Sequence, residues 1–213
     1  MIRYVATLAY AFSAVALGAS LDVSKVNGSI VIEAGREAGD LETVNGSVSV
    51  GRGARVEDIE TVNVSVRHDE QVTSTSAETV NGEIEIGAAS QVRDDASTVN
   101  GAMTLGRGAH VGGRLENVNG RMKLDGASVS GGIETVNGDV YVATGSRVDG
   151  GIHVEKHTGW NLGRKPKNPR ITIESGAVVN GPLRFEREVD LYLGEGVGLP
   201  AIEGVQPQRY ALQ

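Results

Sequence analysis

One carboxylate recurs per repeat at Glu42, Glu60, Glu78, Glu116 and Glu134, and Ser97 and His153 complete the same column. Two such carboxylates on adjacent turns could bridge a divalent cation, since Ca²⁺ takes oxygen ligands. No Asp-rich loop completes a coordination sphere, however, and Arg52, Arg55, Arg107, Arg114 and Arg147 are at hand as neighbours. The column therefore reads as a solvated acidic face, whose charges at ~4.8 Å repel by about 1 kcal/mol or less after screening. No metal site and no cofactor are expected. His68 stands beside Asp69 and Glu70, but His110, His153 and His157 fall in other repeats. Cysteine is absent, and Gly51-Arg52-Gly53 and Gly106-Arg107-Gly108 lie between strand segments, not at the strand-to-helix turn of a phosphate loop. No catalytic residue is assigned, and the chain reads as a non-enzyme.

Binding chemistry has two further candidates. The pairs Thr43/Asn45, Thr61/Asn63, Thr79/Asn81, Thr98/Asn100 and Thr135/Asn137 could form a flat hydroxyl and amide array for glycan or ice. The plainer reading makes the asparagines a structural ladder of stacked amides next to glycine corners. The second candidate is the segment 155–170, which holds the single tryptophan, Trp160, and five basic residues against one acid. Lys156, Trp160, Arg164, Lys165 and Lys167 form a cationic loop suited to an anionic envelope polymer, a glycan or another partner.

The elements that position these residues follow from a repeat. Lys25-Val26-Asn27-Gly28 is followed by Thr43-Val44-Asn45-Gly46, Thr61-Val62-Asn63, Thr79-Val80-Asn81-Gly82, Thr98-Val99-Asn100-Gly101, Asn117-Val118-Asn119-Gly120 and Thr135-Val136-Asn137-Gly138. The step is 18 or 19 residues. Self-similarity at constant period means stacked supersecondary units, so each repeat is one coil of a single all-β solenoid of nine or ten coils. Period-two alternation places Val44, Gly46, Val48 and Val50 inside and Thr43, Asn45, Ser47 and Ser49 outside. The same reading puts Val80, Val99 and Val136 in the core. A right-handed β-helix is expected, because the 19-residue steps break the multiples of six that a left-handed hexapeptide helix requires. That left-handed form is the alternative, supported by Val44, Val50, Val56 and Val62 at a spacing of six. In the third coil Val64 replaces the corner glycine and His68, Ser74 and Ala77 replace Val50, Val56 and Ile59, which predicts a weaker rung.

Composition supports a thin column over a globule. Of 213 residues 30 are Gly and only 4% are aromatic, while the net charge of −7 and the pI near 5.2 exclude a general nucleic-acid binder. Residues 1–20 read as a cleaved export signal: Arg3, an apolar run from Tyr4 to Leu17, then small residues. Fourteen apolar residues fall short of the roughly 20 that span a bilayer, so no transmembrane segment is expected in the mature chain, which would be periplasmic or secreted. The solenoid is expected over 21–198 with an inserted loop at 155–170, and 199–213 as a tail or cap.

Ile171-Thr172-Ile173-Glu174-Ser175-Gly176-Ala177-Val178-Val179-Asn180-Gly181 and Val50-Gly51-Arg52-Gly53-Ala54-Arg55-Val56 resemble the repeats of bactofilins, the polymer-forming β-helix proteins of bacteria. The Thr-Val-Asn-Gly series is also similar to the strand repeats of bacterial adhesin-like families. The resemblance covers about residues 22–198 and implies a right-handed three-sided solenoid without cofactor or catalysis, assembling end to end. The chain departs from bactofilins in its export pattern. Phe185, Leu191 and Leu193 are the candidate stacking residues at the C-terminal end. The expected function is thus an exported structural or adhesin-like solenoid that self-associates. The enzymatic alternative is a hexapeptide-repeat acyltransferase with His110 or His153 as base.

Overall fold

The computed structural model describes residues 21–156, 167–198 and 201–212, so the export pattern in 1–20 and Trp160, Arg164 and Lys165 of the basic loop lie outside the described residues. The described residues form an all-β solenoid of parallel strands without a helix. Its ten coils begin at Val23, Leu41, Ile59, Ala77, Ala96, Leu115, Ile133, Ile152, Leu183 and Ile202, each of which stands above its predecessor in register.

A coil passes through three faces. In the fifth these are the strands Ala96–Asn100, Met103–Leu105 and His110–Val111. Met103 pairs with Ile84 below and Met122 above, and Val111 with Val92 and Val129. Each rung thus supplies hydrogen bonds to two neighbours and extends one apolar column, which no single coil could support. Eighteen- and nineteen-residue coils stack without a bulge because the extra residue sits at a corner. Two residues separate Val56 from Ile59, whereas three separate Val92 from Ala96.

The direction of the side chains at the Thr-Val-Asn triplet corrects the alternation read from sequence. Thr43, Thr61, Thr79, Thr98 and Thr135 are buried, with Asn117 in the same column, while Val44, Val62 and Val80 are about 40% exposed. Leu41 and Thr43 face inward before the corner, Val48 and Val50 after it. The inward set therefore changes parity across Asn45-Gly46. Counting by two from Val48 back through the corner carries the alternation one residue out of phase. Val44 and Val62 face outward while Val50 and Val56 face inward, so the spacing of six read from Val44 to Val62 does not follow one inward column.

After the asparagine, glycine is required by a positive φ at Gly28, Gly46 and Gly120 and by close approach at Gly82 and Gly101. At Gly82 and Gly101 a Cβ would meet the carbonyl of the corner one coil below, Val64 and Gly82 respectively, although neither glycine has a left-handed φ. At the turns of the third face, by contrast, Gly53 has φ of 69° with open space around it, and glycine there serves the left-handed conformation.

The tail is part of the solenoid. Ile202–Gly204 pairs with Leu183–Phe185 and Gln208–Ala211 with Asp190–Leu193, making a tenth coil. Phe185 and Leu191 are consequently buried, with Leu193 partly so, and the expectation that they form an exposed stacking end is overturned. Tyr210 stacks on Tyr192 with ring centroids 4.8 Å apart, and Arg170 lies over Tyr192 at 4.9 Å.

Candidate functional site

Four regular columns run along the first face and its corner. The inner one consists of the threonines. Their hydroxyls donate to corner carbonyls: Thr79 to Val64 at 3.0 Å, Thr98 to Gly82 at 3.2 Å and Thr43 to Gly28 at 3.4 Å. Turned inward, they cannot form the flat hydroxyl array for glycan or ice that the sequence suggested.

At the corner the asparagines form the expected ladder. The amide of Asn45 donates to Asn27, and the series continues through Asn63, Asn81, Asn100, Asn119 and Asn137 with donor to acceptor distances of 2.9–3.3 Å. Each amide donates toward the N-terminal end, which leaves the carbonyl oxygen of Asn137 to be met from the other side. Arg187 does this, with Nη1 2.7 Å from that oxygen and 3.2 Å from the Val136 carbonyl, and Nη2 3.1 Å from the Lys167 carbonyl. Burial lowers the pKa of this guanidinium. The role of Arg187 was not legible, since 50 residues separate it from Asn137. A shorter acidic ladder was also overlooked, although its step of 18 was visible: Asp22 and Asp40 accept from the backbone N–H of Asp40 and Asp58.

The carboxylate column is present in register: Glu42, Glu60 and Glu78, then Ser97, Glu116, Glu134 and His153. Partial burial, reinforced by neighbouring carboxylates, raises the pKa values of Glu60 and Glu78. Glu116 is raised by burial against the opposing pull of Arg114.

Toward the C-terminal end this column gathers other groups. Arg114 reaches Glu116 Oε1 at 3.0 Å and Glu134 Oε2 at 3.1 Å. The His153 ring lies between two coils, Nδ1 2.9 Å from Glu134 Oε1 and Nε2 3.2 Å from Glu186 Oε1. Glu155 turns toward Glu134, and ligand atoms of Glu134, His153 and Glu155 all lie within 4.8 Å of one another. Burial pushes Glu155 up, helped by its hydrogen bond and charge repulsion with Glu134. For Glu134 burial acts upward too, but hydrogen bonds from Glu155 and His153 and the charges of His153 and Arg114 outweigh it, and its pKa is lowered. The hydrogen bond from His153 is the main cause that lowers Glu186. Beside the cluster opens a cleft lined by Arg114, Glu134, Ile152, His153, Pro182 and Arg184, with Gly131 and Gly150 as its side-chain-free wall.

The third coil is irregular in the expected manner. His68 stands between Val50 and Ile86 and is 1% exposed, and Ser74 occupies the place of Val56. Neither ring nitrogen of His68 nor the Ser74 hydroxyl has a hydrogen-bond partner. Desolvation lowers the pKa of His68 to about 4. His110 is far from such surroundings, hydrogen-bonded through Nδ1 to Ser128 at 2.9 Å.

Of the basic loop, Lys156 and Lys167 are described. Both are exposed; the Lys156 backbone N–H donates to Glu186, and Lys167 Nζ lies 3.9 Å from Asp139. No family model matches the chain, and neither a curated protein nor a solved structure is similar to it. Among the described residues no helix is long and apolar enough to cross a membrane.

Proposed function

We propose that this chain is an exported, non-enzymatic structural rod of the adhesin-like kind, which self-associates in the cell envelope through the N-terminal end of its solenoid. The observation that carries the reading is the difference between the two ends. Among the described residues the first coil, Val23–Asn27 and Ile30–Ile32, is paired on one edge only, and Leu21, Val26 and Val31 are more than half exposed. An unpaired strand edge is a template for another chain. At the opposite end the tenth coil carries features that discourage such pairing: Pro207, and Arg209 and Gly204 in the register of Leu191 and Phe185. Contact of two N-terminal ends closes after one pairing, so the expected product is a pair of rods. Right-handed winding, the sense favoured by parallel crossovers, belongs to the same proposal, and exposed Lys156 and Lys167 suit it to an anionic envelope polymer.

Light scattering of the chain without residues 1–20, across a wide concentration range, tests the reading. A concentration-dependent dimer is expected, reduced to monomer by Ser24→Pro with Val26→Lys, which leave the inward columns untouched. A monomer throughout refutes self-association, and recovery of the unprocessed chain from the cytoplasm refutes export.

A further inference from the structure

At the eighth coil two of the regular columns break together. In the column of exposed valines, Val136 is followed one coil later by Glu155 and then by Glu186, since Thr135 stands under Val154 and Val154 under Phe185. In the neighbouring carboxylate column Glu134 is followed by His153 in the same coil that brings Glu155. The repeat thus exchanges an apolar position for an acid where it exchanges an acid for an imidazole. Solvation does not require this pairing, because the earlier coils solvate the same face with glutamate, or Ser97 in the fifth coil, beside valine.

The exchanged side chains converge instead of spreading into solvent. Glu134 and His153 are about one quarter exposed, and Glu155 is partly buried. The Nδ1 of His153 and Oε1 of Glu134 are 2.9 Å apart, so opening the pair by a few tenths of an ångström, to the ~3.3–3.6 Å between two tetrahedral ligands at ~2.0–2.2 Å, would seat one ion between them. On its other side the ring has the arrangement that metal-bound imidazoles show, with the second nitrogen held by a carboxylate: Nε2 lies 3.2 Å from Glu186 Oε1. Arg114 occupies Glu134 Oε2 at 3.1 Å and so fixes the carboxylate with Oε1 toward the ring.

We propose that Glu134, His153 and Glu155 form a binding site for a divalent transition-metal ion, with Glu186 orienting the imidazole and Arg114 orienting Glu134. One nitrogen and two carboxylates suit Zn²⁺ or a neighbouring first-row ion, whereas Ca²⁺ and Mg²⁺ take oxygen ligands. The three ligands come from two successive coils, and Glu134 and His153 also line the cleft. A bound ion would cross-link the seventh and eighth coils on their outer wall at the point where the chain leaves for residues 157–166. The site is independent of the association proposed above, since it lies on a side wall and not at the first coil.

Calorimetric titration of the purified chain with zinc sulfate, and separately with calcium chloride, tests the site, and Co²⁺ absorption reports the ligand set. One Zn²⁺ is expected per chain and no comparable Ca²⁺ uptake. His153→Asn and Glu155→Gln are exposed enough to keep the fold, which thermal melting of the metal-free variants verifies, and each should weaken Zn²⁺ binding by at least about a hundredfold. Glu186→Gln should weaken it by roughly tenfold, the size of effect seen for outer-shell partners. His110→Ala should change nothing. Absence of Zn²⁺ binding by the unaltered chain, binding that survives both His153→Asn and Glu155→Gln, or binding lost with His110→Ala would each overturn the assignment.

Discussion

Replacing His68 by leucine is expected to make the solenoid more stable, and increasingly so as the pH falls. The side chain sits in the apolar column between Val50 and Ile86 with both ring nitrogens unpartnered. A buried unsatisfied polar atom costs about 1–3 kcal/mol, and leucine is close to imidazole in volume, so the gain at neutral pH is roughly 1–3 kcal/mol. The pH-dependent part follows from the pKa, lowered by desolvation from 6.5 to about 4. In that window the unfolded chain binds the proton that the folded chain refuses, so the wild type loses stability as pH falls from the unfolded value through the folded one. With these two pKa values the loss is about 2 kcal/mol at pH 5, and it approaches ~3.4 kcal/mol below pH 4 at 1.36 kcal/mol per unit. Glu60, Glu78 and Glu116 work in the opposite sense. Their raised folded pKa values contribute stability that is present at low pH and lost as the pH rises through them. That contribution is common to both proteins and cancels in their difference. Urea unfolding of wild type and His68→Leu at pH 7.5, 6 and 5 measures this difference directly. A gap that stays constant with pH would show that His68 is not the buried neutral group described above.

Two further substitutions test the architecture. Thr79→Val removes a buried hydroxyl that bonds the Val64 carbonyl and should cost about 1 kcal/mol or more, whereas Val80→Thr next to it faces solvent and should change the unfolding free energy measured in urea by less than about 0.5 kcal/mol; the reverse order would restore the inward valine. Gly101→Ala places a Cβ against the Gly82 carbonyl and should cost more than about 2 kcal/mol, with Gly53→Ala, strained only in φ, nearer ~1 kcal/mol by thermal melting; equal effects would refute the distinction between the two glycine roles.

Much of the molecule was legible because the chain repeats. Asn27 to Asn137 announced a ladder by their spacing alone, and His68 in the place of Val50 was visible as an intruder in an apolar column. What misled the reading was the corner. Alternation is a property of an extended strand, and Asn45-Gly46 is a bend that shifts its phase, so Thr43 rather than Val44 turned out to be inside. The tail was less legible for a different reason. Ile202–Gly204 and Gln208–Ala211 lack the triplet and its glycine, and only pairing with the ninth coil makes them a rung.

The sequence by itself determined the solenoid, its coil length and the identity of its columns, because a fixed period forces equivalent residues into vertical register. Only the tertiary structure decided which side of the wall each column faces and which residues distant in the chain meet. Arg187 closes the asparagine ladder and Glu186 reaches His153 across an interruption of the repeat. No period relates them, since these contacts depend on where the wall resumes after residues 157–166, and that is set by the pairing of Arg170–Ile173 on Asp139–Val142.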